Sequence, residues 1–190
     1  MLDLLIVNGT ILDGTGNPGF RGAVGVCGEE LAVFRSVAEL PEAARVIDAQ
    51  GLHVAPGFID LHSHSGLMIL ADPEHLPKVT QGVTTELIGV DGNSYAPFTD
   101  PADLRRFVTY NAGLDGSPEL AYDWDTVASQ VRRFDGTVSV NIACLVGNSA
   151  LRICELGWDD APATSQAIAN MRAMLREALE EGAFGLSSGL

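Results

Sequence analysis

His62 and His64 stand two residues apart in the run Pro56-Gly57-Phe58-Ile59-Asp60-Leu61-His62-Ser63-His64. Neutral imidazole is a ligand for divalent metals, and two converging imidazoles can grip a single ion. The apolar stretch before them, opened by Pro-Gly, reads as a buried strand, and side chains two apart on a strand share a face. The pair therefore projects from the strand's C-terminal end. A bare H-x-H is a weak motif that core packing often explains; its attachment to the end of a buried strand is what points to metal.

The elements that position this pair change character near residue 55. Before it come short β-type runs at Leu4–Asn8, Thr10–Leu12, Ala23–Cys27, Leu31–Phe34, Arg45–Asp48 and Leu52–Val54. Glycines at 9, 14, 16, 19, 28 and 51 punctuate them, as in a small antiparallel sheet or sandwich. After residue 55, strand-like and helix-like segments alternate. Strands are expected at Phe58–His62, Thr84–Val90, Val138–Leu145 and Ala183–Ser187, with helices at Pro73–Thr80, Pro101–Asn111 and Trp124–Phe134. One further helix has the clearest signals: Thr164 or Ser165 caps it, Ile168, Met171, Leu175 and Leu179 repeat at helical spacing, and Gly182 ends it.

Strands alternating with helices indicate a parallel α/β architecture, either half of an eight-fold barrel or most of a doubly wound sheet. Neither a G-x-G-x-x-G after a strand nor a Walker lysine is present, which weakens a nucleotide-binding reading. In a barrel, active residues sit at the C-terminal ends of strands. That rule selects His62 and His64 after the first strand, Asp91 after the second, Asn148 after the third, and Ser187 and Ser188 after the fourth.

Composition narrows the partners. With 46% hydrophobic and 19% charged residues, the 190-residue chain has the make-up of a soluble globular protein. A net charge of −14 argues against nucleic acid or an anionic membrane surface as a partner. The three cysteines, Cys27, Cys144 and Cys154, form no C-x-x-C pair and fit a reducing compartment. No basic leader and no apolar run of membrane-spanning length is seen, so a cytoplasmic location is expected.

Longer motifs surround the histidines. The opening Asp3-Leu4-Leu5-Ile6-Val7-Asn8-Gly9-Thr10-Ile11-Leu12-Asp13-Gly14 and the run Val54 to His64 resemble the amidohydrolase superfamily. Within it, Gln81-Gly82-Val83-Thr84-Thr85-Glu86-Leu87-Ile88-Gly89 is similar to the D-aminoacylases, the N-acyl-D-amino-acid deacylases. Leu145-Val146-Gly147-Asn148-Ser149-Ala150-Leu151-Arg152 and Glu181 to Leu190 support the same subgroup, so the resemblance spans essentially the whole chain. It implies an α/β fold: the N-terminal part of a metal-dependent (β/α)8 TIM-type barrel over residues 55–190, preceded by a small β-sandwich segment over 1–54. It also implies one or two divalent metals, Zn2+ above all, and a small-molecule N-acyl amino acid as substrate.

By this resemblance His62, His64 and Asp91 are the metal ligands, and Ser187 and Ser188 help shape the substrate pocket. Two further histidine ligands and the catalytic aspartate of the family come from later strands, so no catalytic base is expected within this chain. His53 and His75 are not substitutes: one precedes the first barrel strand and the other lies at the start of a helix. The chain also departs from the pattern. D-aminoacylases carry Gly-Asn-Cys-Gly after the second strand, where this chain has Gly89-Val90-Asp91-Gly92, putting a carboxylate in the thiolate's place. The alternative for Asp91-Gly92-Asn93 is a plain turn, for which those residue types are suited. Asn148 stands where a histidine is common and Gly66 where an acidic residue is frequent.

Hydantoinase-like relatives bridge two metals with a carboxylated lysine late in the first half of the barrel. The single lysine, Lys78, precedes the second strand, so that arrangement is not expected. Glu86 lies mid-strand and is read first as part of a polar network, second as a ligand.

Three functions remain open on the sequence. The parent protein hydrolyses the amide of N-acyl-D-amino acids, with this chain inactive alone. The same chemistry acts on a cyclic amide or another N-acyl compound. Or the chain is a non-catalytic, truncated fragment retaining ligand remnants. Oligomeric state is not legible.

Overall fold

The computed structural model describes residues 1–189 and divides them into two compact units, Met1–Pro56 and the residues from Gly57 onward. In the first unit, β1 (Leu2–Val7), β4 (Ala23–Cys27), β5 (Glu30–Phe34) and β6 (Ala43–Asp48) form one sheet in the order β5-β4-β1-β6. A second sheet joins β2 (Thr10–Ile11), β3 (Phe20–Arg21) and β7 (His53–Val54) in the order β3-β2-β7. Glycine-punctuated runs suggest a purely antiparallel sheet, but both sheets are mixed: β1 runs parallel to β6, and β2 parallel to β7. Local turns fix only hairpin neighbours such as β4 and β5; the parallel partners lie roughly forty residues apart, where no local signal reaches.

The second unit is built on four parallel strands, β8 (Phe58–Asp60), β9 (Val83–Ile88), β10 (Asn141–Gly147) and β11 (Gly185–Ser187). Their order in the sheet is their order in the chain, with no strand inserted between earlier ones. Helices fill the connections: α1 (Met68–Ala71), α2 (Leu76–Val79), α3 (Pro101–Tyr110), α4 (Ala112–Asp115), α5 (Val127–Val131), α6 (Asn148–Leu156) and α7 (Ser165–Glu180). Asp100 caps α3 through Ala102 N, Thr126 and Ser129 form a capping box on α5, and Thr164 caps α7 through Ala167 N. The main core gathers Leu104 and Phe107 of α3, Val146 of β10 and Leu151 of α6, with Leu67, Phe98 and Trp124 from the connecting segments. No described helix is long and apolar enough to cross a membrane.

Several elements differ from expectation. The Pro73–Thr80 helix shortens to α2, opened by His75 at φ 46°, and α1 precedes it as a short helix the sequence does not announce. Trp124–Phe134 shortens to α5, and α4 and α6 carry no strong sequence signal. On α7 half of the apolar stripe faces the core: Met171 and Leu175 pack against it beside the buried Ala167 and Ala178, whereas Ile168 and Leu179, at the stripe's two ends, are exposed. The most deeply buried positions of α7 are small alanines, which a count of large side chains does not find. Likewise β8 is not a buried strand. It is an edge of the sheet with β9 as its neighbour, and Phe58, Ile59 and Leu61 are exposed.

Candidate metal centre

The strand β8 ends at Asp60 because that side chain takes over the local hydrogen bonding. Its Oδ1 accepts the His62 N–H at 3.0 Å, an Asx-type turn, and its Oδ2 pairs with Lys78. The Lys78 bond, followed by that from the His62 N–H, holds the Asp60 carboxyl below its ordinary range. Pairing with the neighbouring strand then resumes, Ser63 N donating to Leu87 O at 3.1 Å. His62 and His64 therefore lie beyond the strand proper, yet the alternation of sides survives. The two imidazoles face one way, with ring centroids 5.4 Å apart.

Ser63 and Ser65 face the other way, onto Glu86 of β9. Ser63 donates to Glu86 Oε2 at 2.6 Å, Ser65 donates to the same oxygen, and His75 Nε2 lies 2.7 Å from Oε1. Glu86 is fully buried. Burial pushes its carboxyl up, but the bonds from Ser63, Ser65 and His75 outweigh that and hold it below its ordinary 4.5. Glu86 thus belongs to a saturated polar network beneath the histidine segment, and His75 is part of the same network.

The partner of the histidines is Asp91. Its Oδ2 lies 3.1 Å from His62 Nε2 and 3.3 Å from His64 Nε2. One ligand atom from each of these residues falls within 4.8 Å of the others. Asp91 also occupies a tight turn: Asn93 N donates to Val90 O at 2.9 Å, and Asp91 and Gly92 have φ of 54° and 79°. Aspartate tolerates that left-handed backbone better than most residues. The turn and the convergence on the histidines are one arrangement, not alternatives.

That turn is fixed from two sides. Ser187 Oγ donates to Gly89 O at 2.5 Å and accepts from Gly92 N at 3.0 Å, and Ser149 N donates to Gly92 O at 3.0 Å. Gly147 lets the backbones meet, since a Cβ there would lie 2.3 Å from Gly92 O. Both hydroxyl functions of Ser187 serve the turn, whereas Ser188 is exposed. Asn148 opens α6 and is half-buried.

Sequence reasoning misses two residues altogether. Asp115, 4% exposed, lies with Oδ1 2.7 Å from His64 Nδ1, and accepts the Tyr95 hydroxyl on Oδ2 at 2.5 Å. No local motif marks Asp115, which stands 51 residues from His64. The Ser63 and Ser65 contacts, by contrast, could have been anticipated from the strict His-Ser-His-Ser alternation facing a mid-strand glutamate.

Comparison with known proteins follows the same lines. The sequence profile of the Amidohydrolase family matches residues 45–189. The chain is 40% identical over 188 residues to the N-acyl-D-aspartate deacylase of Alcaligenes xylosoxydans xylosoxydans, covering 98% of this chain and 36% of that protein. Among solved structures, the N-acyl-D-glutamate deacylase from Bordetella bronchiseptica, complexed with zinc and a phosphonate inhibitor, superposes with a TM-score of 0.83 at 36% identity, over 100% of this chain and 38% of its own. A D-aminoacylase described by its binuclear metal centre matches with a TM-score of 0.83 at 34% identity, over 100% of this chain and 39% of its own. The chain thus spans well under half the length of these relatives.

Proposed function

The chain belongs to the amidohydrolase family, and on that premise we propose that it is part of a metal-dependent hydrolase that cleaves the amide bond of N-acyl-D-amino acids. The observation that carries the proposal is the meeting of His62, His64 and Asp91 at the C-terminal ends of two neighbouring parallel strands. The sequential strand order supports the finer reading of the fold, the first half of a (β/α)8 barrel after a β-sandwich segment, over a doubly wound sheet, whose order reverses.

The donor set fits zinc. Ligands about 2.0–2.1 Å from a tetrahedral ion lie about 3.3 Å from one another, and the Asp91 oxygen stands 3.1 and 3.3 Å from the two Nε2 atoms. Nitrogen and carboxylate donors together suit Zn2+, with a carboxylate oxygen replacing the thiolate expected in the D-aminoacylase pattern. When bound, such an ion polarises the amide carbonyl and lowers the pKa of water near it.

The chain's own residues then divide the work. His62, His64 and Asp91 hold the ion, and the Glu86 network keeps the histidine segment in register. Ser187 acts by fixing the Asp91 turn, and the exposed Ser188 is left to face substrate. Among the described residues no unengaged carboxylate stands beside the histidines to carry a proton to the departing amine. The 190-residue polypeptide alone is therefore expected to bind zinc without turning over an N-acyl-D-amino acid.

The test is zinc stoichiometry of the purified chain, with and without Asp91→Ala, beside a deacylase assay. Stoichiometric zinc that is lost in the variant supports the reading. A wild-type chain that takes up no zinc, or an unchanged content in Asp91→Ala, removes Asp91 and the proposed centre together.

A further inference from the structure

The two imidazoles of the His-Ser-His run are held differently. Among the described contacts His62 is engaged through Nε2 alone, 3.1 Å from Asp91 Oδ2. The His64 ring is held at both nitrogens, Nε2 toward Asp91 and Nδ1 toward Asp115 at 2.7 Å. It is also the more enclosed ring, its side chain 22% exposed against 61% for His62.

Asp115 is itself built into the core. It closes α4, its backbone N donates to Asn111 O at 2.9 Å, and its second oxygen takes the Tyr95 hydroxyl. Tyr95 is buried against Phe107, with ring centroids 5.7 Å apart, and its carbonyl accepts Trp124 Nε1 at 2.8 Å. Burial, reinforced by the neighbouring Asp115, pushes the Tyr95 phenol well above its ordinary value, so it remains a donor. Oδ2 takes the tyrosine proton, and the atom facing Oδ1 is His64 Nδ1. Asp91 also faces this ring, at Nε2, but from 3.3 Å and half exposed, so the 2.7 Å contact to the buried Asp115 has the stronger hold on the ring's proton.

We infer that Asp115, anchored by Tyr95, is a positioning residue that keeps the His64 proton on Nδ1 and aims the bare Nε2 at the Asp91 cluster. In a neutral imidazole only one nitrogen offers a lone pair, and a hydrogen bond at the other decides which. Metal-ligating histidines are commonly oriented by such a carboxylate, whose loss costs about 10–100-fold in metal affinity. The consequence for metal rests on the function proposed above; the tautomer itself does not.

The experiment uses the metal-free 190-residue chain, labelled with 15N, at a pH where imidazoles are neutral. Long-range proton–nitrogen spectra, with His64 assigned through His64→Gln, are expected to show the proton on Nδ1. A ring carrying it mainly on Nε2 overturns the inference, and this reading needs no buried substitution to fold. In Asp115→Asn, with the far-UV spectrum of the wild type, the tautomers are expected to mix and zinc affinity in a chelator competition to fall about 10–100-fold. Affinity and tautomer both unchanged also overturn it. A wild-type chain with the Nδ1 tautomer but no zinc uptake leaves the positioning intact and removes the metal reading instead.

Discussion

Two histidine–carboxylate clusters lie on opposite sides of the same four residues, and they are made of nearly the same parts. On one side, His75 and Glu86 approach to 2.7 Å with side chains 12% and 0% exposed, and both glutamate oxygens are occupied by Ser63, Ser65 and His75. On the other, His62 and Asp91 approach to 3.1 Å with side chains 61% and 51% exposed. The first cluster is closed: each glutamate oxygen has a hydrogen-bond partner, and the carboxylate has no solvent exposure. The second is open, with one carboxylate oxygen shared between two imidazoles and room around it. Residue type alone does not separate a structural pair from the proposed ligand set; saturation and exposure are what differ between them.

Substitutions should split along that line. Glu86→Ala carries the largest expected effect, because it leaves His75 and two serine hydroxyls without their acceptor in a buried place. A loss of about 3 kcal/mol or more is expected in denaturant unfolding of the chain, since each buried group left without its hydrogen-bond partner costs about 1–3 kcal/mol. A loss below about 1 kcal/mol would mean the network is wetter than its burial implies. Glu86→Gln is milder and informative in its pH dependence. Since the native carboxyl is held below its ordinary 4.5, its contribution is fully present above that value and lost as pH falls through the depressed one. The wild type should therefore lose stability on acidification below about pH 4.5, and Glu86→Gln should flatten that decline. An equally steep decline in both would place the acid sensitivity elsewhere. Ser63→Ala and Ser65→Ala each remove one donor to the same carboxylate and should cost about 1 kcal/mol apiece. Made together they should not add, because they share one acceptor atom.

The same contrast explains what could be read from the sequence. Strand periodicity and the strand-end rule pick out His62, His64 and Asp91, while a ligand role for Asp91 comes from the family resemblance; the structure places one ligand atom of each within 4.8 Å of the others. The four parallel strands were legible to within a few residues, as was α7, whose Thr164 cap is used as expected. Asp115 was not, because its importance comes from a meeting across 51 residues that no local pattern encodes. Nor was the mixed character of the N-terminal sheets, whose parallel partners are remote in sequence. The double use of Ser187 was hidden for another reason. A serine at a strand end looks free to meet substrate until Gly89 O and Gly92 N are seen on either side of its hydroxyl.

The smallest expected effect sharpens the comparison most. Asp91→Asn keeps a side chain that tolerates the positive φ of the turn and removes the charge shared by His62 and His64. Exposed ion pairs contribute about 0–1 kcal/mol, so the metal-free stability of the variant should stay within about 0.5 kcal/mol of wild type, as for most surface changes. Its zinc affinity should nevertheless fall, because a neutral amide is a much poorer ligand than a carboxylate. A destabilisation approaching that of Glu86→Ala would make Asp91 a structural partner of the histidines like the glutamate on the other side. Unchanged stability with weakened zinc binding is the signature of a group placed for a ligand rather than for the fold.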